Sequence, residues 1–339
     1  MPFSPPTPLT LAGHGAVEIL RDAVAAAIQA PSSHNTQPWR FRIADGGLEL
    51  HADPTRHLAV IDAERRQQVQ SCGCALYNAR IAVRAAGFTD EVTAVLVDGE
   101  HPSHLATLRL GAPHVTTDLD HTLKAAIPLR RTNRRAFLKR PVAARETEVM
   151  ALAAADEGAT IVRLDPARKR ELGLLIDFAD RAQFGNPAFR AELASWLTPF
   201  GSRRRDGIPF VEKEYGSALP FTVMRALRSP SLGAEFGAME EELVLGAPVV
   251  FVIGTTDDHM RQWLACGQAL QAVLLRATSI GLSASFLNQV LEIPELRGEV
   301  AQLLPDVPYP QMVLRIGVPD EPVRHPAPRR DVDEVLEIV

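Results

Sequence analysis

The feature that most constrains the fold is a short motif that occurs twice, each time at the start of a long helical stretch. Cys72-Gly-Cys-Ala-Leu76 is followed by Gly87 and Cys266-Gly-Gln-Ala-Leu270 by Gly281, and each glycine lies fifteen positions after the first cysteine of its motif. Small residues on one face of a helix allow a second helix to approach closely. We therefore expect two similar halves in one chain, packed through these helices about a pseudo-twofold axis.

Charge and composition exclude several classes of protein. Of the 339 residues, 46% are hydrophobic and 23% are charged, which is typical of a folded soluble protein rather than a disordered one. The 36 Lys and Arg residues against 41 Asp and Glu residues give a net charge of −5, whereas a nucleic-acid-binding protein usually has a basic excess. No stretch reaches the roughly 18–20 apolar residues that a membrane helix needs. We therefore expect no nucleic acid and no membrane as partner.

The cysteines and the first residues bear on the cellular location. Residues 1–10 show no basic start followed by an apolar run, so we expect no secretory signal. Cys72, Cys74 and Cys266 are too few for a disulfide scaffold, and their spacing matches no zinc motif. We expect a cytoplasmic protein without a bound metal.

Hydrophobic periodicity predicts an α+β fold. Residues 39–43 and 48–51 alternate apolar and polar around Asp45-Gly-Gly47, which is typical of a hairpin. Long helices are predicted over 62–86 and 257–280. Further strands are predicted at 92–97, 105–110, 160–164, 248–253 and 311–316.

Two segments depart from regular patterns. In 196–237, proline and glycine interrupt an apolar and basic sequence, so we expect a lid or wrapping excursion rather than a linker or a core helix. Its aromatic and clustered basic residues are Trp196, Phe200, Arg203, Arg204, Arg205, Phe210, Tyr215 and Phe221. The tail from 324 is expected to leave the domain and to end in a helix over 332–339.

The decapeptide Ala30-Pro-Ser-Ser-His-Asn-Thr-Gln-Pro-Trp39 joins a predicted helix to a predicted strand. Its hydroxyl and amide groups can satisfy a loop by local hydrogen bonds, or they can form a polar cradle for a ligand. The position between two buried elements favours the cradle. His34 is either a hydrogen-bonded loop histidine or a contact to substrate.

The hexapeptide Arg130-Arg-Thr-Asn-Arg-Arg135 places four positive charges in a chain of net negative charge. Burial of such a cluster without an anion is costly, whereas a phosphate would accept bidentate bonds from the arginines and one from Thr132. A solvated basic turn is the alternative. A nucleic-acid platform is less well supported, because no aromatic residue stands between the arginines.

Two weaker segments follow, and several known motifs are absent. Gly281-Leu-Ser-Ala-Ser285 can present backbone amides to a planar ligand, and Pro328-Arg-Arg-Asp331 forms a basic turn in the tail. The sequence contains no GxGxxG fingerprint, no GxxxxGK[ST] loop and no GxSxG elbow. Rossmann, P-loop and serine-hydrolase sites are therefore unsupported.

Together these segments resemble the nitroreductase superfamily of FMN flavoproteins, in closest detail its fused, Acg-type branch. The resemblance rests on APSSHNTQPW at 30–39, RRTNR at 130–134, the CGxAL motifs at 72 and 266, GLSAS at 281–285, LRIGVP at 314–319 and PRRDVDEV at 328–335. It implies a nitroreductase-like α+β fold with a mixed, largely antiparallel sheet flanked by helices. The first half is expected at 1–115 and the second, with the lid and the basic tail, at 116–339.

The resemblance also assigns residues to the cofactor. Those implied to bind FMN are Pro31, Ser32, Ser33, Asn35 and Gln37 in the loop, Arg130, Arg131, Thr132 and Arg134 in the basic turn, Asn288 and Gln289, and Arg329 and Arg330 in the tail. The arginines and Thr132 would hold the phosphate and ribityl chain, and Arg134 would stabilise the reduced flavin. Asn288 and Gln289 stand near the expected flavin N5, where many members have two glycines. No side chain is implied as a catalytic group, because the flavin N5 carries the chemistry.

An ordinary family member is similar to half of this chain and forms two FMN sites across a dimer. Here the first half keeps the polar loop and the second keeps the basic turn, whereas residues 156–160 stand where the second loop would be. The resemblance thus implies one FMN per chain between the two halves, in a monomer that is an internal pseudo-dimer or in a homodimer.

Two main functions remain open. The first is an FMN-dependent oxidoreductase that passes electrons from NAD(P)H via FMN to a small organic acceptor. The second is an FMN-binding or sequestering protein, with the flavin covered by the lid and little or no turnover. Residues 203–205 would attract an anionic donor such as NADPH or would simply be solvated. A flavin-free interaction protein is a third, weaker reading.

Overall fold

The computed structural model describes residues 13–95, 103–198, 202–209, 232–321 and 326–339. Its helices are α1 Gly13–Ala27, α2 Arg66–Ala85, α3 Asp118–Ala126, α4 Ala144–Asp156, α5 Pro166–Gly185, α6 Pro187–Trp196, α7 Leu232–Gly246, α8 Met260–Ser279, α9 Pro294–Leu303 and α10 Val332–Val335. Its strands are β1 Trp39–Ala44, β2 Gly47–Ala52, β3 Phe88–Ala94, β4 His104–Pro113, β5 Thr160–Arg163, β6 Leu197–Thr198, β7 Ile208–Pro209, β8 Val249–Thr255, β9 Ser283–Phe286, β10 Tyr309–Gly317 and β11 Leu336–Ile338. None of the helices in these ranges combines the length and the apolarity needed to cross a bilayer.

The strands form two principal sheets and one small two-stranded sheet. The first sheet has the order β11-β1-β2-β4-β3 and the second the order β5-β8-β10-β9. Within them the β1–β11 pairing is parallel and the other described pairings are antiparallel. The predicted α+β fold with mixed, largely antiparallel strands is confirmed, although the strands divide between two sheets. The pseudo-twofold relation of the halves and their boundary at 115 and 116 stay predictions.

The hairpin between β1 and β2 turns where the sequence predicts it. Asp45 and Gly46 both have positive φ, at 48° and 69°. A two-residue hairpin turn of this kind needs φ above zero at both central positions, which Asp and Gly tolerate. The hairpin prediction is confirmed.

The two helices that carry the repeated motif pack against each other between the sheets. Helix α2 lies on the first sheet, α8 lies on the second, and the helices contact each other. A Cβ added to Gly73 would lie 2.3 Å from the Leu264 carbonyl oxygen, and one added to Gly267 would lie 2.1 Å from that of Gln70. Both contacts are far too close for a side chain, so the close approach predicted from the motif is confirmed.

The second sheet separates two hydrophobic cores. Phe251 and Leu314 face a large core that includes α2, α8 and the first sheet. Val250, Val252 and Val313 face a smaller core formed with α5, α7 and α9. Because both faces are covered, β8 is buried along its whole length, and it reads as a continuous apolar run. This second core holds α5, which contributes to the site described below.

Helix α2 begins later than the sequence predicts. The helix was expected from Asp62, but it starts at Arg66. The Asp62 carboxylate instead accepts hydrogen bonds from the backbone N–H groups of Gln67, at 2.9 Å, and Gln68, at 2.8 Å. Asp62 therefore satisfies the free donors of the first turn from outside the helix.

The C-terminal tail also differs from its prediction. The helix expected over 332–339 ends at Val335, and the chain continues as β11. Leu336 pairs with Phe41 in parallel register. This pairing satisfies backbone groups on the open edge of β1, which outweighs the local helical pattern. The tail thus returns to the first sheet.

Much of the predicted lid lies outside the described residues. Residues 199–201 and 210–231 belong to that part, so Phe200, Phe210, Tyr215 and Phe221 are not placed. Residues 202–209 are described, and α7 begins at Leu232. Whether 196–237 acts as a lid stays a prediction.

Candidate functional site

A cavity of about 610 Å³ lies where the polar loop, the basic turn and the tail meet. Its volume is in the range of small-molecule and cofactor sites, roughly 300–1,000 Å³. Eleven of the thirteen residues predicted to bind FMN line it, namely Pro31, Ser32, Ser33, Asn35, Arg130, Arg131, Thr132, Arg134, Asn288, Gln289 and Arg329. These residues come from four segments that are distant in sequence. The structure therefore brings together what the sequence assigned to one ligand.

The side chains of Gln37 and Arg330, the other two predicted residues, do not line this cavity. Gln37 is completely buried; its Nε2 donates to the Arg205 carbonyl at 2.7 Å, and its Oε1 accepts from the backbone N–H of Arg330 at 2.8 Å. The Arg330 side chain lines a separate cavity on the first sheet. Gln37 thus joins three chain segments behind the site rather than facing a ligand.

The polar loop has an unusual backbone. His34, Asn35 and Gln37 have φ values of 52°, 54° and 51°, and each such non-glycine position costs roughly 1–3 kcal/mol. The backbone N–H of Gln37 donates to Ser32 Oγ at 2.9 Å, and Asn35 Nδ2 donates to the carbonyl of Gly207 at 3.0 Å. These bonds hold the loop in a conformation that its residues would not adopt alone.

Four arginines that line the cavity lie close enough for their charges to interact, and they are here called the arginine end: Arg130, Arg131, Arg134 and Arg329. Arg130 is only 5% exposed, and neither its Nε nor that of Arg329 has a hydrogen-bond partner among the described residues. Burial and then neighbouring charges lower the pKa of Arg130 to about 10 and that of Arg329 to about 9. Desolvated guanidinium groups that lower one another's pKa in this way are stabilised by an anion beside them.

The basic turn is fixed to the second sheet. Thr132 forms a parallel bridge with Ala284 of β9, and the backbone N–H of Asn133 donates to the Ala284 carbonyl at 2.9 Å. Arg315 of β10 donates to the Asn133 carbonyl at 3.2 Å and stacks on Phe137 at 5.0 Å. The arginines are therefore presented from a rigid support.

Asn288 and Gln289 use their side chains within the fold. Asn288 Oδ1 accepts from the backbone N–H of Val313 at 3.0 Å. Gln289 Nε2 donates to Asp180 Oδ2 at 3.3 Å. Both amide side chains are thus already engaged within the fold.

Three acidic residues also line the cavity, and they are here called the carboxylate end: Asp180, Glu240 and Glu292. Glu240 lies close enough to Arg134 for the arginine charge to act on its carboxyl group. Burial, reinforced by Glu240 and other carboxylates, raises the pKa of Asp180 to about 7. Burial likewise raises the pKa of Glu240 and of Glu292 from the ordinary value for a carboxyl group. Asp180 is therefore partly protonated near neutral pH and can exchange a proton with a ligand.

Hydrogen bonds connect the polar loop to the carboxylate end. Ser33 Oγ donates to Gln67 Oε1 at 2.6 Å, and Gln67 Nε2 donates to Glu292 Oε1 at 2.8 Å. Gln183 Nε2 donates to the other Glu292 oxygen at 2.6 Å. One network thus joins the first half of the chain to α5 in the second half.

The carboxylate end was missed by sequence reasoning. Asp180 and Gln183 lie on the buried side of α5, which also carries Leu172 and Ile176. Polar residues on an otherwise apolar helical face are the signal that could have indicated them, because a buried polar group needs a partner. Glu240 opens a run of three glutamates on α7, and Glu292 is a single acidic residue between Leu291 and Ile293, so neither carries a comparable signal.

Neither His34 nor Cys74, which also line the cavity, has the properties of a reactive group. Burial and the charge of Arg134 lower the pKa of His34 to about 4, so its ring is neutral at pH 7. Burial raises the pKa of the Cys74 thiol far above its usual range, which removes the thiolate that a nucleophile requires. The site offers binding and proton exchange rather than covalent catalysis.

Comparison with known proteins identifies relatives along nearly the whole chain. The Nitroreductase family model matches residues 186–318. The protein named "Putative NAD(P)H nitroreductase Rv3131" from Mycobacterium tuberculosis is 32% identical over 324 residues, which cover 94% of this chain and 91% of that protein. The one named "Putative NAD(P)H nitroreductase acg" from the same organism is 31% identical over 334 residues, which cover 95% of this chain and 96% of that protein.

Solved structures that resemble part of this chain are also named nitroreductases. The FMN-dependent nitroreductase NfnB from Mycobacterium smegmatis in complex with NADPH has a TM-score of 0.41 and 17% identity, over 64% of this chain and 97% of that one. A nitroreductase with bound FMN from Desulfitobacterium hafniense has a TM-score of 0.40 and 14% identity, over 63% of this chain and 96% of that one. The full-length sequence relatives decide the classification, and they confirm the predicted resemblance: this chain belongs to the nitroreductase family.

Proposed function

We propose that this protein is an FMN-dependent oxidoreductase that passes electrons from NAD(P)H to a small organic acceptor. The observation that carries the proposal is the arginine end of the cavity. Arg130 is buried there and Arg329 is half-buried, and the buried Nε atom of each has no hydrogen-bond partner among the described residues. Both lie beside the loop that the family resemblance assigns to the flavin. A phosphate-bearing cofactor would supply the missing negative charge.

Different residues of the chain would bind different parts of the cofactor. Arg130, Arg131 and Arg329 would bind the phosphate, and the loop residues Ser32 and Ser33 would border the ring. FMN itself supplies hydride and electron transfer when it is bound. The raised pKa of Asp180 gives a protonated carboxyl group near neutral pH, which would deliver a proton to an acceptor as it is reduced.

We further propose one FMN per chain, bound between the two halves. The segment at 156–160, which replaces a second polar loop, is a tight turn after α4, with Gly158 at φ 77°. Its Glu157 forms an ion pair with Arg80 at 2.5 Å and does not line the cavity. Because one chain supplies both halves of the site, a monomer would suffice, and a homodimer would contain two such sites.

The sequestering alternative is favoured by a different observation. The described residues 202–209 are hydrogen-bonded to the polar loop through Asn35 and Gln37. Arg205 also forms an ion pair with Asp331 of the tail, so it is engaged and not held ready for an anionic donor. A segment fixed in this way would cover a bound flavin and slow its reaction with large donors.

The visible spectrum of the purified protein, before and after anaerobic addition of NADPH, tests the proposal. We expect one FMN per chain and bleaching of its absorbance. A bound flavin that stays oxidised with both NADH and NADPH would favour the sequestering protein. Absence of flavin binding after reconstitution with FMN would refute both functions.

A further inference from the structure

Three side chains able to bind a metal ion meet on the outer face of the first sheet, away from the cavity described above. Glu49 and His51 lie two residues apart on β2, so they project from the same face. His104, at the start of β4, pairs with His51. The carboxylate oxygen and imidazole nitrogen atoms of the three residues all lie within 4.8 Å of one another.

An irregularity in the strand pairing brings His104 to this face. Leu50 pairs with Ala106, but the next residue, His51, pairs with His104, so that Leu105 is skipped. Leu105 and Ala106 are both completely buried, whereas His104 is half-buried. Bulges of this kind often redirect a side chain at functional positions. In a regular ladder Leu105 would oppose His51, and the face would lack its second imidazole.

The two imidazole rings are oriented alike. Their centroids are 4.6 Å apart and their planes differ by 21°. His51 Nε2 lies 3.0 Å from Glu49 Oε2, and His104 Nε2 lies 3.1 Å from Thr107 Oγ1. Since Glu49 and Thr107 are themselves paired across the two strands, both Nε2 atoms point toward the same pair of residues.

We propose that Glu49, His51 and His104 bind one zinc ion per chain, which cross-links β2 and β4. Two imidazole nitrogens and one carboxylate oxygen form a ligand set that suits Zn²⁺ and similar divalent ions. Zinc bonds of about 2.0–2.2 Å require these atoms to approach to roughly 3.3 Å of one another, which small side-chain rotations supply. His51 also lines a second cavity, of about 570 Å³, from which a water molecule can complete the coordination.

One cation competes for the carboxylate. Arg42 Nη1 lies 3.6 Å from Glu49 Oε2, and its side chain is 43% exposed. It can therefore turn to solvent when a metal binds. The neighbouring Arg40 is paired with Asp53 at 2.9 Å. None of the three proposed ligands lines the first cavity, so the zinc site is independent of the proposed flavin function.

The test is a zinc titration of the chelator-treated, tag-free, full-length protein against a chromophoric indicator. We expect one Zn²⁺ per chain, and an affinity at least tenfold weaker in His51→Ala and in His104→Ala. Glu49→Gln should weaken binding less, because the amide oxygen remains a possible ligand. His121→Ala, which removes an exposed histidine from α3, is the matched control and should bind as the wild type does.

Cobalt supplies a second readout that does not depend on stability. The wild-type protein with one equivalent of Co²⁺ should show a visible absorption band of four-coordinate cobalt, and His104→Ala should not. Circular dichroism establishes that the variants are folded. Absence of stoichiometric zinc binding in the wild type would overturn the proposal, and so would equal zinc affinity in the wild type and the two histidine variants.

Discussion

The two ends of the first cavity differ in both charge and origin. The arginine end takes three of its cations from one short turn, at 130–134, and a fourth from Arg329 in the tail. The carboxylate end takes Asp180 from α5, Glu240 from α7 and Glu292 from the segment between β9 and α9. The first end is arranged to attract an anion, whereas burial raises the pKa of each carboxyl group at the second, to about 7 for Asp180. A ligand in the cavity would therefore meet fixed positive charge from the arginines and an exchangeable proton on Asp180.

Both α2 and α8 contribute residues to this cavity, Cys74 and Leu270 among them, so breaking the contact between these helices should have the largest effect. In Gly267→Ala the new methyl group would lie 2.1 Å from the Gln70 carbonyl oxygen. We expect a loss of about 3 kcal/mol or more in the free energy of unfolding, because backbone must move to make room. Urea denaturation followed by circular dichroism measures the loss.

Helix α9 provides the matched control for that substitution. A Cβ added to Gly298 would meet no atom within 4 Å. Gly298→Ala should therefore be neutral or stabilising by up to about 1 kcal/mol, because alanine is the better helix former. Equal stability of Gly267→Ala and the wild type would contradict the close helix contact.

Titration of Asp180, at the carboxylate end, should make the stability of the protein depend on pH. The folded pKa of Asp180 is about 7, against an ordinary value of 3.8. Between these values the folded protein binds a proton that the unfolded chain releases, so stability falls as the pH rises through this window. Asp180→Asn removes that fall and should be more stable than the wild type at pH 8, by on the order of 2 kcal/mol. Below about pH 4 the two proteins should be equal.

Thermal melts at pH 4, 6 and 8, with the same FMN concentration throughout, measure this effect. Asp165→Asn, at the start of the same helix, is the control, because hydrogen bonds from the helix N-terminus lower the pKa of Asp165. Its effect should have the opposite sign, with the wild type gaining relative stability as the pH rises. A pH-independent difference between Asp180→Asn and the wild type would show that this carboxyl group is not protonated in the folded state.

Breaking the hydrogen-bond network between the polar loop and the carboxylate end should cause the smallest loss of stability. Ser33→Ala removes the bond to Gln67 Oε1 and should cost about 1 kcal/mol. Chemical denaturation of the FMN-free protein measures the loss. Ser195→Ala removes only an exposed local bond to the Glu192 carbonyl and should change stability by less than about 0.5 kcal/mol. Equal effects of the two substitutions would mean that the network does not join the halves.

The sequence predicts those site residues that lie in contiguous motifs, but not those that are dispersed along the chain. The polar loop and the basic turn are contiguous motifs, so their residues could be named before the fold was known, and most of them line the cavity. Both Arg329 and Arg330 were assigned to the cofactor, but only Arg329 lines the cavity, because the path of the tail back to β1 decides which side chain faces it. Asp180, Glu240 and Glu292 could not be grouped, because only tertiary packing brings them together.

The fold likewise contains features that local sequence patterns predict and features that they do not. The hairpin, the long helices and the glycine contact follow from local patterns and small residues. The strand β11 does not, because its partner β1 lies almost three hundred residues earlier and local propensity favours a helix there. The bulge that places His104 beside His51 likewise depends on a pairing between strands that residues 53–103 separate.

The most direct test of the central claim compares FMN with riboflavin, which has the same ring and no phosphate. Fluorescence titration of the flavin-free protein should show FMN binding at least 100-fold more tightly than riboflavin. In Arg130→Ala this preference should fall by tenfold or more, because a charge-assisted bond to phosphate contributes about 1.5–3 kcal/mol. The exposed Arg140→Ala should keep the preference. Equal binding of the two flavins by the wild type, or a full preference in Arg130→Ala, would contradict the assignment of the arginine end to the phosphate.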